Sequence, residues 1–133
     1  MWLLDTNICI HLIKRKPERV LDRLRLIDIN TVAVSSITVA ELQYGVAKSA
    51  HQEQNGLALA AFLAPLGAEP FDDAAAAVYG TVRAALERAG TPIGSLDMLI
   101  ASHALALGRT IVTNNAREFQ RVAGLKLENW VEG

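Results

Sequence analysis

The sequence has few of the residues that build disulfide-bonded, thiolate-metal or membrane-spanning proteins. It contains one cysteine, Cys9, in 133 residues, so neither a disulfide framework nor a cysteine metal site can form within the chain. No uncharged stretch reaches the roughly 18 apolar residues that a membrane helix needs, and the N-terminus lacks the basic region of a signal peptide. These absences predict a soluble protein of the reducing cytoplasm with no membrane association.

Aromatic residues and net charge are also scarce. Phe, Trp and Tyr make up 5% of the chain, whereas hydrophobic residues make up 51%. The core must therefore be aliphatic and rich in alanine, which favours packed helices over an all-β sandwich. The formal net charge of −1 excludes a global basic field for nucleic acid, so any contact with nucleic acid must come from a local patch.

Short apolar segments alternate with helical patterns along the chain. Strands are predicted for Trp2–Leu4, Thr31–Val34, Ala68–Phe71 and Thr110–Thr113, with Leu125–Leu127 as an edge strand. Helices are predicted for Asn7–Ile13, Glu18–Ile27, Ser36–Val46, Leu57–Ala64, Ala74–Ala89, Leu96–Leu107 and Asn114–Arg121. This alternation requires crossovers, and it predicts an α/β fold of three layers, α/β/α, with a mostly parallel sheet of four to five strands. Because no linker or repeat interrupts the pattern, we expect one domain over residues 1–133.

Three carboxylates follow different strands of the predicted sheet. Asp5 comes directly after the first strand, Glu41 lies one turn into the helix after the second, and Asp97 opens the helix before the fourth. Parallel strands bring their carboxyl ends to one edge, where these acids can converge. Each acid also has a structural explanation, since Asp5 can cap a helix, Glu41 can complete a capping box with Thr38, and Asp97 can lie in a first turn behind Ser95.

Converging acids favour a hard cation. Carboxylate oxygens suit Mg²⁺, with Mn²⁺ as the alternative, and such an ion polarises a phosphate for phosphoryl chemistry. A second polar cluster follows the fourth strand and comprises Thr113, Asn114 and Asn115, with Glu118 one helical turn further on. An asparagine-capped short helix explains these residues too, and Glu118 could instead pair with Arg121.

Four segments together resemble the PIN-domain nucleases, and more narrowly the VapC-type toxins of bacterial type II toxin–antitoxin systems. They are Leu3–Asn7, Ser35–Leu42, Ile93–Asp97 and Thr113–Phe119. The resemblance covers nearly the whole chain. It implies a PIN-like α/β/α fold, Mg²⁺-dependent endoribonuclease activity and a partner antitoxin that blocks the site.

The resemblance also implies roles for single residues. Asp5, Glu41 and Asp97 become the acidic metal-site and catalytic residues. Polar support for the substrate is expected from five residues: Thr6, Asn7, Thr113, Asn114 and Asn115. The wider PIN pattern has an aspartate where this chain has Asn115, so no fourth carboxylate stands at that position. We therefore predict that Glu118 supplies this charge, through water, as a fourth catalytic residue.

The function implied by the resemblance is cleavage of a structured RNA, with an initiator tRNA as the best single expectation, so that translation is inhibited. Expected partners are the RNA, a VapB-like antitoxin, a second copy of the chain in a homodimer, and DNA only indirectly through the antitoxin. Two other functions also use clustered acids: a receiver-like, phosphate-accepting signalling domain, and a catalytically silent module whose acids bind an arginine of a partner. A receiver domain needs a phosphoacceptor aspartate after its third strand, where Asp72 and Asp73 stand, and a lysine after its fifth. No suitable lysine follows Thr113.

Overall fold

The computed structural model describes residues 1–132, so that of the predicted domain only Gly133 lies outside the described residues. Its strands are β1 (Trp2–Leu4), β2 (Val32–Ser35), β3 (Gly67–Glu69), β4 (Thr110–Val112) and β5 (Leu127–Glu128). Its α-helices are α1 (Thr6–Lys14), α2 (Glu18–Arg25), α3 (Ser36–Ala47), α4 (Gln52–Leu63), α5 (Asp73–Ala89), α6 (Ser95–Leu107) and α7 (Ala116–Phe119).

The strands form one sheet in the order β3-β2-β1-β4-β5. Every neighbouring pair is parallel, as the alternating pattern predicts. β1 lies at the centre, where Leu3 pairs with Ala33 of β2 and Ile111 of β4. Because the chain continues from β1 to β2 on one side and reaches β4 on the other, the carboxyl end of β1 lies at a switch point of the topology, where open α/β sheets hold their ligands.

Helices cover both faces of the sheet, which confirms the predicted three layers. Successive residues of a strand point to opposite faces, so Leu3 packs with α5 and α6 in one hydrophobic cluster while Leu4 packs with α1 and α3 in the other. Both leucines are fully buried. Within residues 1–132, no helix combines the length and the apolar character that crossing a membrane would require.

Several predicted boundaries are wrong. α7 covers only Ala116–Phe119 of the predicted Asn114–Arg121. α4 begins at Gln52, not at Leu57, because its polar first turns lie exposed to solvent and still adopt helical geometry, and Gly56 lies inside the helix instead of ending the loop. The edge strands also differ: β3 is Gly67–Glu69 and β5 is Leu127–Glu128. An edge strand pairs on one side only, so its side-chain pattern does not fix where pairing begins.

Candidate active site

Asp5 is held in place by backbone bonds at the end of β1. Its backbone N–H donates to the carbonyl of Val112 (3.0 Å), and its Oδ1 accepts from the N–H of Ile8 (2.8 Å), which caps α1. The side chain is only 3% exposed. Burial raises the pKa of Asp5 to about 6, the Thr113 hydroxyl and the Ile8 N–H oppose that rise, and the charge of Asp97 adds to it. The helix-cap explanation is therefore correct, and the same carboxylate lies among the other acids.

Asp97 is the common neighbour of the remaining carboxylates. It lies in the first turn of α6 and is partly buried. Its pKa is raised by burial first and then by the charges of Glu118 and Glu41. The predicted Ser95 cap is wrong, because the helix already includes Ser95 and the cap position is occupied by Gly94. Each of the other three predicted carboxylates, Asp5, Glu41 and Glu118, is thus within electrostatic reach of Asp97.

Glu41 is oriented by a bond from a different helix. The Thr6 hydroxyl on α1 donates to Glu41 Oε1 at 2.7 Å, and the Thr6 Oγ1 lies 3.3 Å from the hydroxyl oxygen of buried Thr38. The predicted capping box is absent, since Ser35 caps α3 by accepting from the N–H of Ile37 (3.0 Å). Thr38 is a site neighbour that the sequence analysis did not assign, although it lies three residues before Glu41 on the same helix.

Glu118 is oriented by the residue that departs from the PIN pattern. The Asn115 side-chain amide donates to Glu118 Oε2 at 3.1 Å, and the Asn115 backbone N–H donates to Thr113 Oγ1 at 2.9 Å. Arg121 instead donates to the carbonyl of Pro92 (3.0 Å), so the alternative pairing of Glu118 with Arg121 is not formed. Asn115 therefore connects the end of β4 with the fourth carboxylate.

Two predicted polar residues lie at the margin of this cluster. Asn7 and Asn114 are both exposed, and Asn114 Nδ2 lies 3.4 Å from His11 Nε2. His11 was not predicted to belong to the site, yet its charge lowers the pKa of Asp5, while its Nδ1 lies 3.0 Å from the carbonyl of Lys16. Its position on α1, six residues after Asp5, was the available signal.

The oxygen ligands that the cluster offers suit Mg²⁺ or Mn²⁺. They do not form a site that encloses the ion on all sides. Within residues 1–132, no group of three or more His, Cys, Asp or Glu side chains is arranged to surround a single ion. Mg²⁺ requires less, because it binds through one or two carboxylates and keeps several waters. A buried carboxylate whose pKa is raised by burial and by a like charge is stabilised by a nearby cation.

The acid expected for a receiver domain has another role in this structure. Asp72 follows β3 and accepts a hydrogen bond from the N–H of Ala75 (3.0 Å), which caps α5. The end of β4 carries buried Thr113 and no lysine. Neither feature supports phosphate acceptance.

Comparison with known proteins agrees with this geometry. The sequence model of the PIN-domain family matches residues 2–125 of this chain. The chain belongs to the PIN-domain family. Within the family it is 47% identical over 131 residues to Ribonuclease VapC2 of Rickettsia felis, covering 98% of each chain. It is 43% identical over 129 residues to the tRNA(fMet)-specific endonuclease VapC of Salmonella typhimurium, covering 97% of each. These relatives place the chain among the VapC-type PIN ribonucleases.

The solved structures of PIN proteins give the same result. The structure of VapBC2 from Rickettsia felis, bound to a promoter DNA fragment, superposes with a TM-score of 0.92 at 47% identity and covers 97% of this chain and 98% of that one. FitAcB from Neisseria gonorrhoeae superposes with a TM-score of 0.87 at 30% identity, with 98% of each chain covered. The predicted family and fold are confirmed.

Proposed function

We propose that this VapC-type PIN ribonuclease is a Mg²⁺-dependent endoribonuclease toxin that cleaves tRNA in the cytoplasm and thereby inhibits translation. The observation that carries the proposal is the surroundings of Asp97, where burial and the charges of Glu118 and Glu41 all raise its pKa. Carboxylates that repel one another at the end of a parallel sheet are stabilised by a divalent cation, and phosphodiester cleavage is a common use of a cation so placed.

The surroundings of each acidic residue suggest its role in the reaction. Asp5 and Asp97 would hold the cation directly, and Glu41, fixed by the Thr6 hydroxyl, would contact it through one of its bound waters. The bound cation supplies positive charge against the scissile phosphate. Glu118, held by the Asn115 amide, accepts a proton from the water that attacks phosphorus. One bridging P–O bond breaks as the new P–O bond forms, and the leaving ribose oxygen takes up a proton from solvent, which leaves two RNA fragments.

An initiator tRNA is the substrate that we propose, and the support is the relative from Salmonella typhimurium whose name specifies tRNA(fMet). The test incubates the purified protein with initiator tRNA and with elongator methionine tRNA in Mg²⁺ and maps the new RNA ends. We expect cleavage of the initiator tRNA alone, with loss of cleavage in EDTA.

The matched variants are Asp97→Asn and Asp22→Asn. Asp22 is an exposed carboxylate 3.5 Å from Arg25, so its variant controls for the loss of one surface charge. Asp97→Asn should lose cleavage by about a hundredfold or more, and Asp22→Asn should keep it. Parental cleavage by Asp97→Asn would overturn the site. Calorimetric Mg²⁺ binding without cleavage of any RNA would instead support the silent binding module.

A VapB-like antitoxin is the protein partner that we propose. A groove of about 280 Å³ between α1, α3 and α4 has Thr6 and Glu41 in its lining. Its remaining lining is mainly apolar and includes Ile10, Ile13, Leu42, Val46 and Leu59. An amphipathic segment fits such a groove, and an arginine on that segment would meet Glu41. DNA would be contacted through the antitoxin, because this chain has a net charge of −1.

A homodimer is the assembly that we propose. Leu26 is 83% exposed and Leu57 is 69% exposed, and exposed apolar side chains of this size favour association. Sedimentation velocity over a dilution series should show a dimer. A monomer at every concentration would contradict the proposal.

A further inference from the structure

Tyr44 is an exposed aromatic residue on the helix that carries Glu41. Its side chain is 65% exposed, whereas the other six aromatic residues are buried or partly buried. Trp130 and Phe119, for example, are fully buried. The exposed ring offers a flat apolar surface and a hydroxyl group, both of which a ligand could contact.

The ring lies close to the acidic cluster. Tyr44 follows Glu41 by three residues, so the two are neighbours on the surface of α3, separated by about 4.5 Å along the helix axis. The adjoining positions of this surface are the exposed residues Ala40, Gln43 and Ala47. Two of these three residues are alanines, whose methyl groups are too small to cover an aromatic ring.

A cation accompanies the ring. Lys48 Nζ lies 4.9 Å from the ring centroid of Tyr44, and Lys48 is itself exposed. The carboxylates nearby repel phosphate groups, so an RNA backbone that approaches this edge needs a local cation. Tyr44 is still 65% exposed with Lys48 beside its ring, so part of the ring remains accessible to a base.

We propose that Tyr44 and Lys48 form a nucleotide-binding site, in which an unpaired RNA base stacks on the Tyr44 ring and an adjacent phosphate contacts Lys48. Aromatic stacking of unpaired bases and cationic contacts to phosphates are the usual combination in single-stranded RNA recognition. The inference rests on the proposed endoribonuclease function and adds a substrate-binding residue to it.

The groove on the same helix favours RNA over a protein as the ligand of Tyr44. Gly45 and Val46 line that groove, and Tyr44 does not. An antitoxin segment seated between α1, α3 and α4 would therefore leave the ring outside its apolar contact. Tyrosine is also common in protein interfaces, so the test includes antitoxin binding.

The test uses Asp97→Asn as the cleavage-inactive parent and an RNA stem-loop with the initiator anticodon sequence, in which 2-aminopurine replaces one loop adenine. Stacking on an aromatic ring quenches the fluorescence of 2-aminopurine. Tyr44→Leu should weaken binding about tenfold and abolish the quenching, while Tyr44→Phe should retain both. Lys48→Gln should weaken binding and lower the slope of log K against log salt by about 0.7.

Gln43→Ala on the same surface is the control and should bind as the parent does. Unchanged binding and quenching in Tyr44→Leu would overturn the stacking site. Weaker antitoxin binding with unchanged RNA binding would also overturn it, and would assign the ring to a protein interface. In the active chain, cleavage of tRNA with an unaltered KM in Tyr44→Leu would reject this inference alone, whereas a chain that neither binds nor cuts RNA would reject the proposed function as well.

Discussion

Asp5 is a single residue that serves the fold and the candidate active site at once. Its Oδ1 caps α1, so the structure needs an acceptor at this position. Its charge, however, is unfavourable there, because burial raises its pKa from 3.8 to about 6. An alanine would remove both the cap and the charge, whereas an asparagine keeps the acceptor and removes only the charge.

We predict that Asp5→Asn stabilises the protein at pH 8 in EDTA and changes it little at pH 4. Because the folded pKa of about 6 lies above the ordinary value, the stability from this group is present below pH 4 and is lost as the pH rises through 6. The loss is about 3 kcal/mol. Urea unfolding at the two pH values measures the difference.

Mg²⁺ supplies the control for this prediction. Added Mg²⁺ should stabilise the parent at pH 8, because a ligand that binds only the folded state raises its stability, and it should not stabilise Asp5→Asn. Equal stability of the two proteins at both pH values would show that the charge of Asp5 costs nothing.

A variant of Glu118 tests whether this residue replaces the carboxylate that the PIN pattern has at the position of Asn115. We predict that Glu118→Gln lowers the cleavage rate about tenfold, a modest share of general-base catalysis, because the charge is lost while the side chain keeps its shape. The loss should ease at higher Mg²⁺ or when Asn115→Asp is added. Cleavage rates across a Mg²⁺ series provide the measurement.

The control for Glu118→Gln is Glu87→Gln, which removes an exposed carboxylate 2.9 Å from Arg83. It should cut RNA at the parental rate. If Glu118→Gln also cuts at the parental rate throughout the series, the metal is served by Asp5, Glu41 and Asp97 alone.

At the scale of secondary-structure elements, a buried hydrogen bond connects the start of α3 with α6. The Ser35 Oγ that caps α3 lies 2.8 Å from Nδ1 of His103 on α6, and both side chains are at most 1% exposed. Burial lowers the pKa of His103, which favours the neutral ring at pH 7. This bond joins the helix of Glu41 to the helix of Asp97.

We predict that Ser35→Ala destabilises the protein by about 2 kcal/mol, because it removes a helix cap and leaves Nδ1 of His103 without its partner in the core. Asp72→Ala is the matched control, since it removes a cap from α5 at a residue that is exposed. It should cost about 1 kcal/mol. Urea unfolding of both variants gives the comparison, and equal losses would mean that the bond to His103 contributes nothing.

At the scale of the whole molecule, α3 presents two surfaces to two different partners in our proposals. Gly45 lines the groove assigned to the antitoxin, and a Cβ atom built at Gly45 meets no atom within 4 Å. A Cβ atom can therefore be added at this position without a clash in the folded chain, and replacing a glycine inside a helix favours folding by up to about 1 kcal/mol.

We predict that Gly45→Leu weakens antitoxin binding at least tenfold while tRNA cleavage continues, because the side chain fills the groove and leaves the carboxylates in place. Calorimetry with the antitoxin and a cleavage assay measure the two effects. Ala47→Leu, at an exposed position of the same helix, is the control and should leave antitoxin binding unchanged. Parental binding by Gly45→Leu would remove the antitoxin from this groove.

Local patterns in the sequence were sufficient for most of the architecture. Runs such as Trp2–Leu4 and Thr110–Val112 identify buried strands by their unbroken apolar character, and glycines at Gly90 and Gly108 end α5 and α6 with positive φ as helix-terminating residues do. The alternation of strands and helices along the chain then predicted a parallel sheet. The polar start of α4 was missed, because exposed helical turns carry no apolar period.

The sequence by itself determined the fold class, the family and the candidate acids. The fold class follows from local hydrophobic patterns, and the family and the acids follow from four motifs along the chain. Only the tertiary structure decided that β1 lies at the centre of the sheet, that Thr6 orients Glu41, and that Asn115 orients Glu118. The reason is physical. The order of parallel strands and the rotation of each helix about its axis depend on packing between residues far apart in the chain, and a contact between α1 and α3 exists only after both helices have packed against the sheet.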